Sequence, residues 1–262
     1  MNRSYPLFAT AVPLVLAWIA SGCGGESFAP TDVLYVAAAS DLQNVLPELV
    51  RRFPQNDHQR VQVTFGSSGK LAEQIRAGAR FDVFLAANES YVKALADEKL
   101  VKRESVRPYA IGSLVMAVRR DATVTIGSVS DLTSPGVKRV AIANPDFAPY
   151  GAAARQALKK AGVWDELGPK LVLADSVGQA FLFAETGNAD VALVGRALTR
   201  GSDVRVVEVD PRLYDTIVQS LGVVLPGPRD RDPEAFTRFV TGPEGRSVLE
   251  SYGFKVPPAA TP

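Results

Sequence analysis

Residues 33–42 have the sequence VLYVAAASDL, an apolar run that stops at a serine and an aspartate. An apolar run of this length predicts a buried β-strand, and the polar pair predicts a turn at its end. Beyond the turn, apolar residues recur at helical spacing as far as Phe53, which predicts an amphipathic helix. Pro47 lies inside this pattern, and it either kinks the helix or moves its start toward Val45. The stretch therefore predicts a strand, a polar turn and a helix in succession.

The same succession recurs along the rest of the chain. Residues 61–65 predict a strand that ends at the turn Gly66-Ser67-Ser68-Gly69. Ser176 and Gln179 have the spacing of a capping box, which predicts the start of a helix. Further strands are predicted at residues 83–86, 114–118, 140–143, 171–173, 191–194, 204–209 and 217–225. This alternation predicts an α/β fold with mostly parallel sheets, and it favours two sheets over one.

The order of these elements predicts two lobes. The chain is expected to leave the first lobe near residues 109–112 and to return to it near 215–219. Lobe 1 is therefore predicted to hold residues 33–110 and 217–258, and lobe 2 residues 111–216. Ligands of open α/β sheets bind beyond the carboxyl ends of the strands, so we expect a site in the cleft between the lobes.

The composition disfavours several classes of function. With 29 Lys and Arg residues against 28 Asp and Glu, the formal charge is +1, which provides no global field for nucleic acid or for an anionic membrane. The single histidine, His58, lies in a polar stretch that predicts a solvated loop. Histidine-dependent catalysis and multi-histidine metal sites are therefore disfavoured. We predict no enzyme activity, no cofactor and no protein-bound metal.

The amino terminus has the layout of a secretory signal peptide over residues 1–22. Its apolar run is short for a membrane-spanning helix and contains Pro13, so a transmembrane anchor is the minor alternative. The residues Ala20-Ser21-Gly22 before Cys23 resemble the lipobox of bacterial lipoproteins, although that motif usually has leucine in place of Ala20. Because Cys23 is the only cysteine, no intramolecular disulfide can form. We predict an exported protein on the periplasmic or extracytoplasmic face, lipid-anchored through Cys23 and tethered by residues 23–32.

Four junctions between a strand and a helix are candidate anion sites. They are Ala39-Ser40-Asp41, Gly66-Ser67-Ser68-Gly69, Pro149-Tyr150-Gly151 and Asp175-Ser176-Val177. Helix amino termini present free backbone N–H groups and the positive end of the helix dipole, so they hold anions without a cation. Serines also favour such positions as helix caps alone, and that alternative stays open for Ser40 and Ser68. A packing role is favoured for the side chain of Tyr150 and a core position for that of Val177.

Several segments together resemble the molybdate-binding proteins, the extracytoplasmic solute-binding components of molybdate ABC transporters. The resemblance begins with AAASDL at residues 37–42 and continues with FGSSGKL at 65–71. Further segments that carry it are residues 74–78, 81–84, 144–145, 149–151, 162–165, 169–171, 187–191 and 252–254. Because the agreement is ordered over most of the chain, it is more specific than any single motif.

This resemblance implies a two-lobed periplasmic-binding-protein-like fold of type II, with the ligand in the cleft between the lobes. It implies that molybdate or tungstate is bound by the hydroxyls of Ser40 and Ser68 and by the backbone amides of Tyr150 and Val177. It also implies a monomer that delivers its ligand to the permease subunits of an ABC transporter. One position departs from the pattern, because some members of the family have a tyrosine donor where this chain has Gly195. The preference between molybdate and tungstate is therefore open.

Other ligands on the same fold are also open. A fully ionised oxyanion accepts every hydrogen bond, whereas hydrogen phosphate carries a proton that needs an acceptor, so a carboxylate in the cleft would favour phosphate. Asp41, Asp82 and Asp175 lie near predicted strand ends, although a solvated or capping role is favoured for each. Sulfate resembles molybdate in charge and differs mainly in size. Ferric iron is disfavoured because the seven tyrosines are scattered.

A serine/lysine acyl-transfer enzyme is the alternative from a different class of protein. Ser67 and Lys70 have the S-x-x-K spacing of such enzymes. The chain lacks the K-T-G motif, and SDL at residues 40–42 is not the S-D-N motif. An enzyme of this kind is therefore disfavoured.

Overall fold

The apolar run at the start of the folded region forms strand β1 (Val33–Ala39), which is buried along almost its whole length. A single 3-10 turn, Ser40–Leu42, follows the strand, and the first α-helix, α1, spans Leu46–Arg52. Pro47 lies in the first turn of α1, where its missing N–H costs no intrahelical hydrogen bond. Pro47 therefore moves the start of the helix and does not kink it.

The computed structural model describes residues 33–54, 60–227 and 231–257. The predicted signal peptide, Cys23, the tether and His58 lie outside the described residues, so their roles stay predictions. None of the helices within those three ranges has the length and apolar character needed to cross a membrane.

The first sheet contains β1 and four further strands. In spatial order the strands are β2 (Arg60–Gly66), β1, β3 (Val83–Ala86), β10 (Ile217–Val223) and β4 (Arg107–Gly112). The helices that belong with this sheet are α1, α2 (Ser68–Arg76), α3 (Glu89–Asp97), α7 (Pro233–Thr241) and α8 (Pro243–Ser251). We call this sheet with its helices lobe 1.

The second sheet is built from the middle of the chain. In spatial order its strands are β7 (Leu171–Ala174), β6 (Val140–Ala143), β8 (Val191–Gly195), β5 (Leu114–Arg119) and β9 (Val204–Glu208). Its helices are α4 (Pro149–Lys160), α5 (Trp164–Leu167) and α6 (Val177–Glu185). We call this sheet with its helices lobe 2. The α/β class and the two-lobed architecture are confirmed, whereas the numbered lobe boundaries given above stay a prediction.

Both sheets are mixed, so the prediction of mostly parallel sheets is wrong. In lobe 1, β1 pairs in parallel with β2 and β3, whereas β10 pairs antiparallel with β3 and β4. In lobe 2, β6 pairs in parallel with β7 and β8, whereas β5 pairs antiparallel with β8 and β9. The strands β5 and β10 each enter their sheet directly from the other lobe. Because no crossover helix within the sheet delivers them, the parallel direction is not imposed on them.

The apolar character of β1 follows from burial on both faces of its sheet. Leu34, Val36 and Ala38 pack in one hydrophobic cluster of lobe 1, and Ala37 packs in a second cluster with Phe84 of β3. Strands covered on both faces have continuous apolar runs, not alternating ones. The turn after β1 is the point at which polar residues first enter this core.

Candidate functional site

Loops that follow several strands line one small cavity between the lobes. The lining residues are Ala39, Ser40, Asp41, Gly66, Ser67, Ser68 and Ala87 of lobe 1, and Ala148, Pro149, Tyr150 and Val177 of lobe 2. The cavity is small, with a volume of about 10 Å³, which is about the space of one water molecule. The structure therefore brings together all four predicted site residues: Ser40, Ser68, Tyr150 and Val177.

The two predicted serines are buried and already accept one hydrogen bond each. The Oγ of Ser40 accepts from the backbone N–H of Gly178 at 3.1 Å, and the Oγ of Ser68 accepts from that of Ala87 at 3.0 Å. A hydroxyl that accepts from an amide keeps its own hydrogen for donation. Ser40 and Ser68 can therefore each donate one hydrogen bond into the cavity that they line.

The two predicted backbone donors stand in the first turns of helices that begin at the cavity. Tyr150 follows Pro149 at the start of α4, and Val177 is the first residue of α6. Amides of a first turn have no acceptor within the helix, and the dipole makes this end of a helix positive. The amides of Tyr150 and Val177 are thus suited to an anion.

The start of α6 differs in one detail from the predicted capping box. The Oγ of Ser176 accepts from the backbone N–H of Gln179 at 3.3 Å, as that motif requires. The side-chain Oε1 of Gln179, however, accepts from the backbone N–H of Asp175 at 2.6 Å and not from that of Ser176. This bond fixes the loop one residue before the cap, directly beside the cavity residue Val177.

A third serine, Ser67, lies in the cavity wall and was not predicted as a site residue. Its side chain is buried, and its Oγ has no hydrogen-bond partner among the described residues. Buried polar atoms in folded proteins nearly always have a partner, so an exception in a cavity wall suggests a ligand group. The sequence signal for Ser67 was its place in the turn 66–69, next to Ser68.

Asp41 is the ionisable carboxyl group of the cavity wall, and it is fully buried. Its Oδ2 accepts from the side-chain Nε2 of Gln219 at 2.6 Å, while its Oδ1 has no hydrogen-bond partner among the described residues. The same Nε2 lies 3.1 Å from the hydroxyl of Tyr150, and the hydroxyl of Tyr109 donates to Oε1 of Gln219 at 2.6 Å. The solvated or capping role favoured for Asp41 from sequence is therefore wrong.

Burial dominates the electrostatics of this network. It raises the pKa of Asp41 to about 7, although hydrogen bonds from Gln219 and Tyr150 act in the opposite direction. Burial and the nearby Asp41 charge also raise the pKa values of Tyr109 and Tyr150 well above the usual range. Both tyrosines therefore stay protonated donors, and Asp41 can change its charge close to neutral pH.

The other two aspartates considered from sequence lie away from the donors. Asp82 is buried, accepts from the backbone N–H of Tyr35 at 2.7 Å, and stands at the amino-terminal side of β3, whereas the cavity lies at the carboxyl ends. Asp175 is exposed and forms an ion pair with Lys70 of lobe 1 at 2.7 Å. Within the three described ranges, no group of three or more His, Cys, Asp or Glu residues is placed to hold a metal ion.

The ring of Tyr150 occupies the space above Gly195, the position at which the sequence departs from the molybdate-binding pattern. A Cβ atom at residue 195 would lie 2.9 Å from Cζ of Tyr150 and 3.1 Å from its hydroxyl oxygen. Contacts this short require a buried ring to move. The small residue at 195 and the buried position of Tyr150 therefore depend on each other.

Direct contacts join the two lobes next to the turn 66–69, which lines the cavity. The backbone N–H of Gly69 donates to the carbonyl oxygen of Phe147 at 2.8 Å, beside the ion pair of Lys70 with Asp175. Because Lys70 is paired with Asp175, the ammonium does not activate Ser67, and the S-x-x-K arrangement of a serine enzyme is not formed. The lobes are thus in contact around a cavity of donors.

The sequence profile of the family described as "Bacterial extracellular solute-binding protein" matches residues 34–255. The chain belongs to this family. It is therefore a solute-binding protein and not an enzyme, as the sequence predicted.

Individual relatives of the chain agree with this result. The solute-binding protein described here is 33% identical over 247 residues to the molybdate-binding protein ModA of Rhodobacter capsulatus, with 94% of each chain covered. It is 28% identical to the protein named "Putative ABC transporter substrate-binding lipoprotein YvgL" of Bacillus subtilis, with 97% of this chain and 99% of the relative covered. The structure of the periplasmic molybdate-binding protein of Azotobacter vinelandii matches with a TM-score of 0.80 and 28% identity, over 86% of this chain and 99% of the other. The predicted type II fold is confirmed by this match.

Proposed function

We propose that this solute-binding protein binds molybdate, and tungstate at the same site, outside the cytoplasm. The observation that carries the proposal is the set of neutral hydrogen-bond donors around one small cavity, which no lysine or arginine lines within the part of the chain that the structure describes. Hydroxyls and helix amino termini stabilise an anion that accepts all of its hydrogen bonds. The names of the Rhodobacter and Azotobacter relatives support molybdate as that anion.

The proposed ligand set consists of four donors from two lobes. Lobe 1 supplies the hydroxyls of Ser40 and Ser68, and lobe 2 supplies the backbone amides of Tyr150 and Val177. The hydroxyl of Ser67 is a fifth donor of the same kind, because it lines the same cavity without a partner among the described residues. Since the donors come from both lobes, the ligand would draw the lobes together, and hinge opening would release it.

Phosphate is the second candidate, because Asp41 places a carboxyl group in the cavity wall. An ionised Asp41 can accept the proton of hydrogen phosphate, which molybdate does not carry. The neutral donors of the other lining residues serve either anion. Asp41 alone distinguishes the two candidates on chemical grounds.

We further propose that the chain delivers its ligand to the permease subunits of an ABC transporter, as a monomer. The signal peptide over residues 1–22 would direct export, and lipidation of Cys23 would hold the domain at the extracytoplasmic face through the tether 23–32. The lipoprotein name of the Bacillus relative supports the lipid anchor. Loss of membrane association in a Cys23→Ala variant would be the measurement that checks it.

The experiment that tests the ligand is thermal unfolding of the purified protein with molybdate, tungstate, sulfate or phosphate. A ligand that binds only the folded protein raises the free energy of unfolding by about 2.7 kcal/mol when its concentration is about 100 times its Kd. We expect a rise in Tm with molybdate and tungstate and none with the other two anions. A rise with phosphate alone would assign the site to phosphate, and no rise with any of the four would overturn the proposal.

A further inference from the structure

Two features of Asp41 remain unexplained by a purely structural role. Its side chain is fully buried, yet Oδ1 has no hydrogen-bond partner among the described residues, and the residue lines the cavity. Oδ2 is held by Gln219, which is itself fixed by the hydroxyl of Tyr109. The network therefore orients the carboxyl group and leaves one oxygen for the ligand.

An ionised Asp41 beside a divalent oxyanion would repel it at close range, and none of the described residues that line the cavity is a lysine or an arginine that could compensate the charge. The described elements packed around the turn Ser40–Leu42 are β2, β4, β10, α4, α6 and the 3-10 turn Arg196–Thr199. Their titratable groups are Arg60, Arg107, Tyr109, Arg155, Lys159, Lys160, Glu185 and Arg196 together with Tyr150. Arg196 forms an ion pair with Glu208, and Arg107 is the first residue of β4 and donates to the carbonyl oxygen of Ser105. Arg60 and Glu185 lie at the far ends of β2 and α6, and Arg155, Lys159 and Lys160 lie beyond the first turn of α4. Only the two tyrosines face the carboxyl group directly, and both are neutral donors.

We infer that Asp41 is a specificity-determining residue that binds a fully deprotonated oxyanion in its neutral, protonated form, donating a hydrogen bond from Oδ1. Binding of such an anion then takes up one proton from solvent whenever free Asp41 is ionised. The proton goes to the carboxyl group, and no bond within the anion forms or breaks. This inference rests on the proposed function, since the anion considered is molybdate.

Thermodynamic linkage gives this inference a measurable signature. Burial raises the pKa of Asp41 to about 7 in the structure, and a bound dianion would raise it further. Below this pH the proton is already present, so affinity should not depend on pH. Above it, each bound molybdate must bring in one proton, so the Kd should rise about tenfold per pH unit.

The test is calorimetric titration of the full-length protein with sodium molybdate between about pH 6 and about pH 9, in two buffers of different ionisation enthalpy. We expect the wild type to take up about one proton per molybdate at the upper end. The variant Asp41→Asn keeps an acceptor for Gln219 and a permanent donor for the anion. It should therefore bind with a Kd independent of pH, tighter than the wild type by about a hundredfold near pH 9. Asp203→Asn, which changes an exposed carboxylate paired with Arg120, is the matched control and should follow the wild type.

The outcomes separate this inference from the proposed function. Molybdate binding by the wild type with no pH dependence and no proton uptake would overturn the inference and leave the proposed function intact. No molybdate binding at any pH would overturn both. The pH dependence of the Kd and the proton uptake of the wild type are sufficient to test the inference, even if Asp41→Asn does not fold.

Discussion

The Oγ of Ser40 in lobe 1 accepts a hydrogen bond from the backbone N–H of Gly178 in lobe 2, at 3.1 Å. This bond crosses the cleft directly beside the cavity. The serine proposed to hold the ligand is thus also a contact between the lobes. Because Ser40 takes part both in the proposed ligand binding and in the contact between the lobes, substitutions at Ser40 and at Ser68 should differ in their effect on ligand affinity.

We predict that Ser40→Ala weakens molybdate binding more than Ser68→Ala does. Each variant loses one hydrogen bond to a charged ligand, worth about 1.5–3 kcal/mol, or about tenfold to a hundredfold in Kd. Ser40→Ala also loses the bond to Gly178, whereas the partner of Ser68, Ala87, belongs to the same lobe. Isothermal titration calorimetry measures both Kd values.

The exposed Ser130 provides a matched control for these two substitutions. Ser130→Ala should bind like the wild type. A Ser40→Ala/Ser68→Ala double variant that bound molybdate with undiminished affinity would show that the site assignment is wrong.

We predict that Gly178→Ala weakens ligand binding by hindering closure of the lobes. A Cβ atom at residue 178 would overlap Oε1 of Gln43 and would lie 2.9 Å from Cδ of the same side chain, across the cleft. Because a glutamine side chain can move at some cost, we expect an increase in Kd of about threefold to thirtyfold. The second substitution Gln43→Ala should restore the affinity.

The double-mutant cycle of these two positions is the decisive measurement. Gly178→Ala should change the free energy of unfolding of the protein without ligand little, because the clash arises only when the lobes meet. If Gly178→Ala lowers the affinity equally in the wild type and in the Gln43→Ala variant, the loss does not come from a clash between residue 178 and Gln43, and the prediction is wrong.

We predict that Gly195→Ala lowers both the stability and the affinity of the protein. The new Cβ atom would lie 2.9 Å from Cζ of Tyr150, whose ring is buried, so Tyr150 must shift together with its backbone amide. Overpacking of this kind costs about 1–3 kcal/mol. Urea unfolding and molybdate titration measure the two effects.

Gly127→Ala is the control for this substitution. A Cβ atom at residue 127, which is exposed, would lie 3.7 Å from Oδ2 of Asp131, an ordinary van der Waals distance. The prediction fails if both variants unfold at the same urea concentration, because the contact with Tyr150 would then carry no energetic cost.

The sequence was sufficient to indicate the junctions that line the cavity, because each lies between a strand and the helix that follows it, and apolar periodicity is informative about such boundaries. The choice of Ser40, Ser68, Tyr150 and Val177 within those junctions came from the resemblance to the molybdate-binding proteins. Local patterns therefore predicted which junctions line the cavity.

The buried network beneath the cavity could not be predicted in the same way. Gln219 is 178 residues from Asp41, and its only local signal was a polar residue within the apolar strand β10. Its position depends on an irregularity in the pairing of β10 with β4 between Gln219 and Ser220. The direction of several strands in the two sheets was mispredicted for a related reason. The position of Gln219 and the direction of the strands both depend on pairing between distant segments, which apolar periodicity does not encode.

We predict that the free energy of unfolding of the protein without ligand falls as the pH rises from about 4 to about 7 because of Asp41. In the folded state the pKa of Asp41 is raised from 3.8 to about 7. Within this window the folded protein holds a proton that the unfolded chain releases, so stability decreases with pH. A difference of about three pKa units corresponds to about 4 kcal/mol. Two other carboxyl groups, Glu48 and Asp210, have pKa values lowered to about 2 by arginine partners. Their stabilising effect grows with pH and is complete by about pH 5, so it does not alter a comparison made above that pH.

Urea unfolding at about pH 5 and about pH 8 measures the effect through the comparison of the wild type with Asp41→Asn. An asparagine at residue 41 has no charge to bury, so the variant should lose most of the decrease that the wild type shows. Asp203→Asn should keep the wild-type decrease because its carboxylate is exposed. Equal pH dependence of all three proteins would mean that Asp41 carries no raised pKa in solution. In that case the cavity would present a permanent negative charge to its ligand, and hydrogen phosphate would become the better candidate.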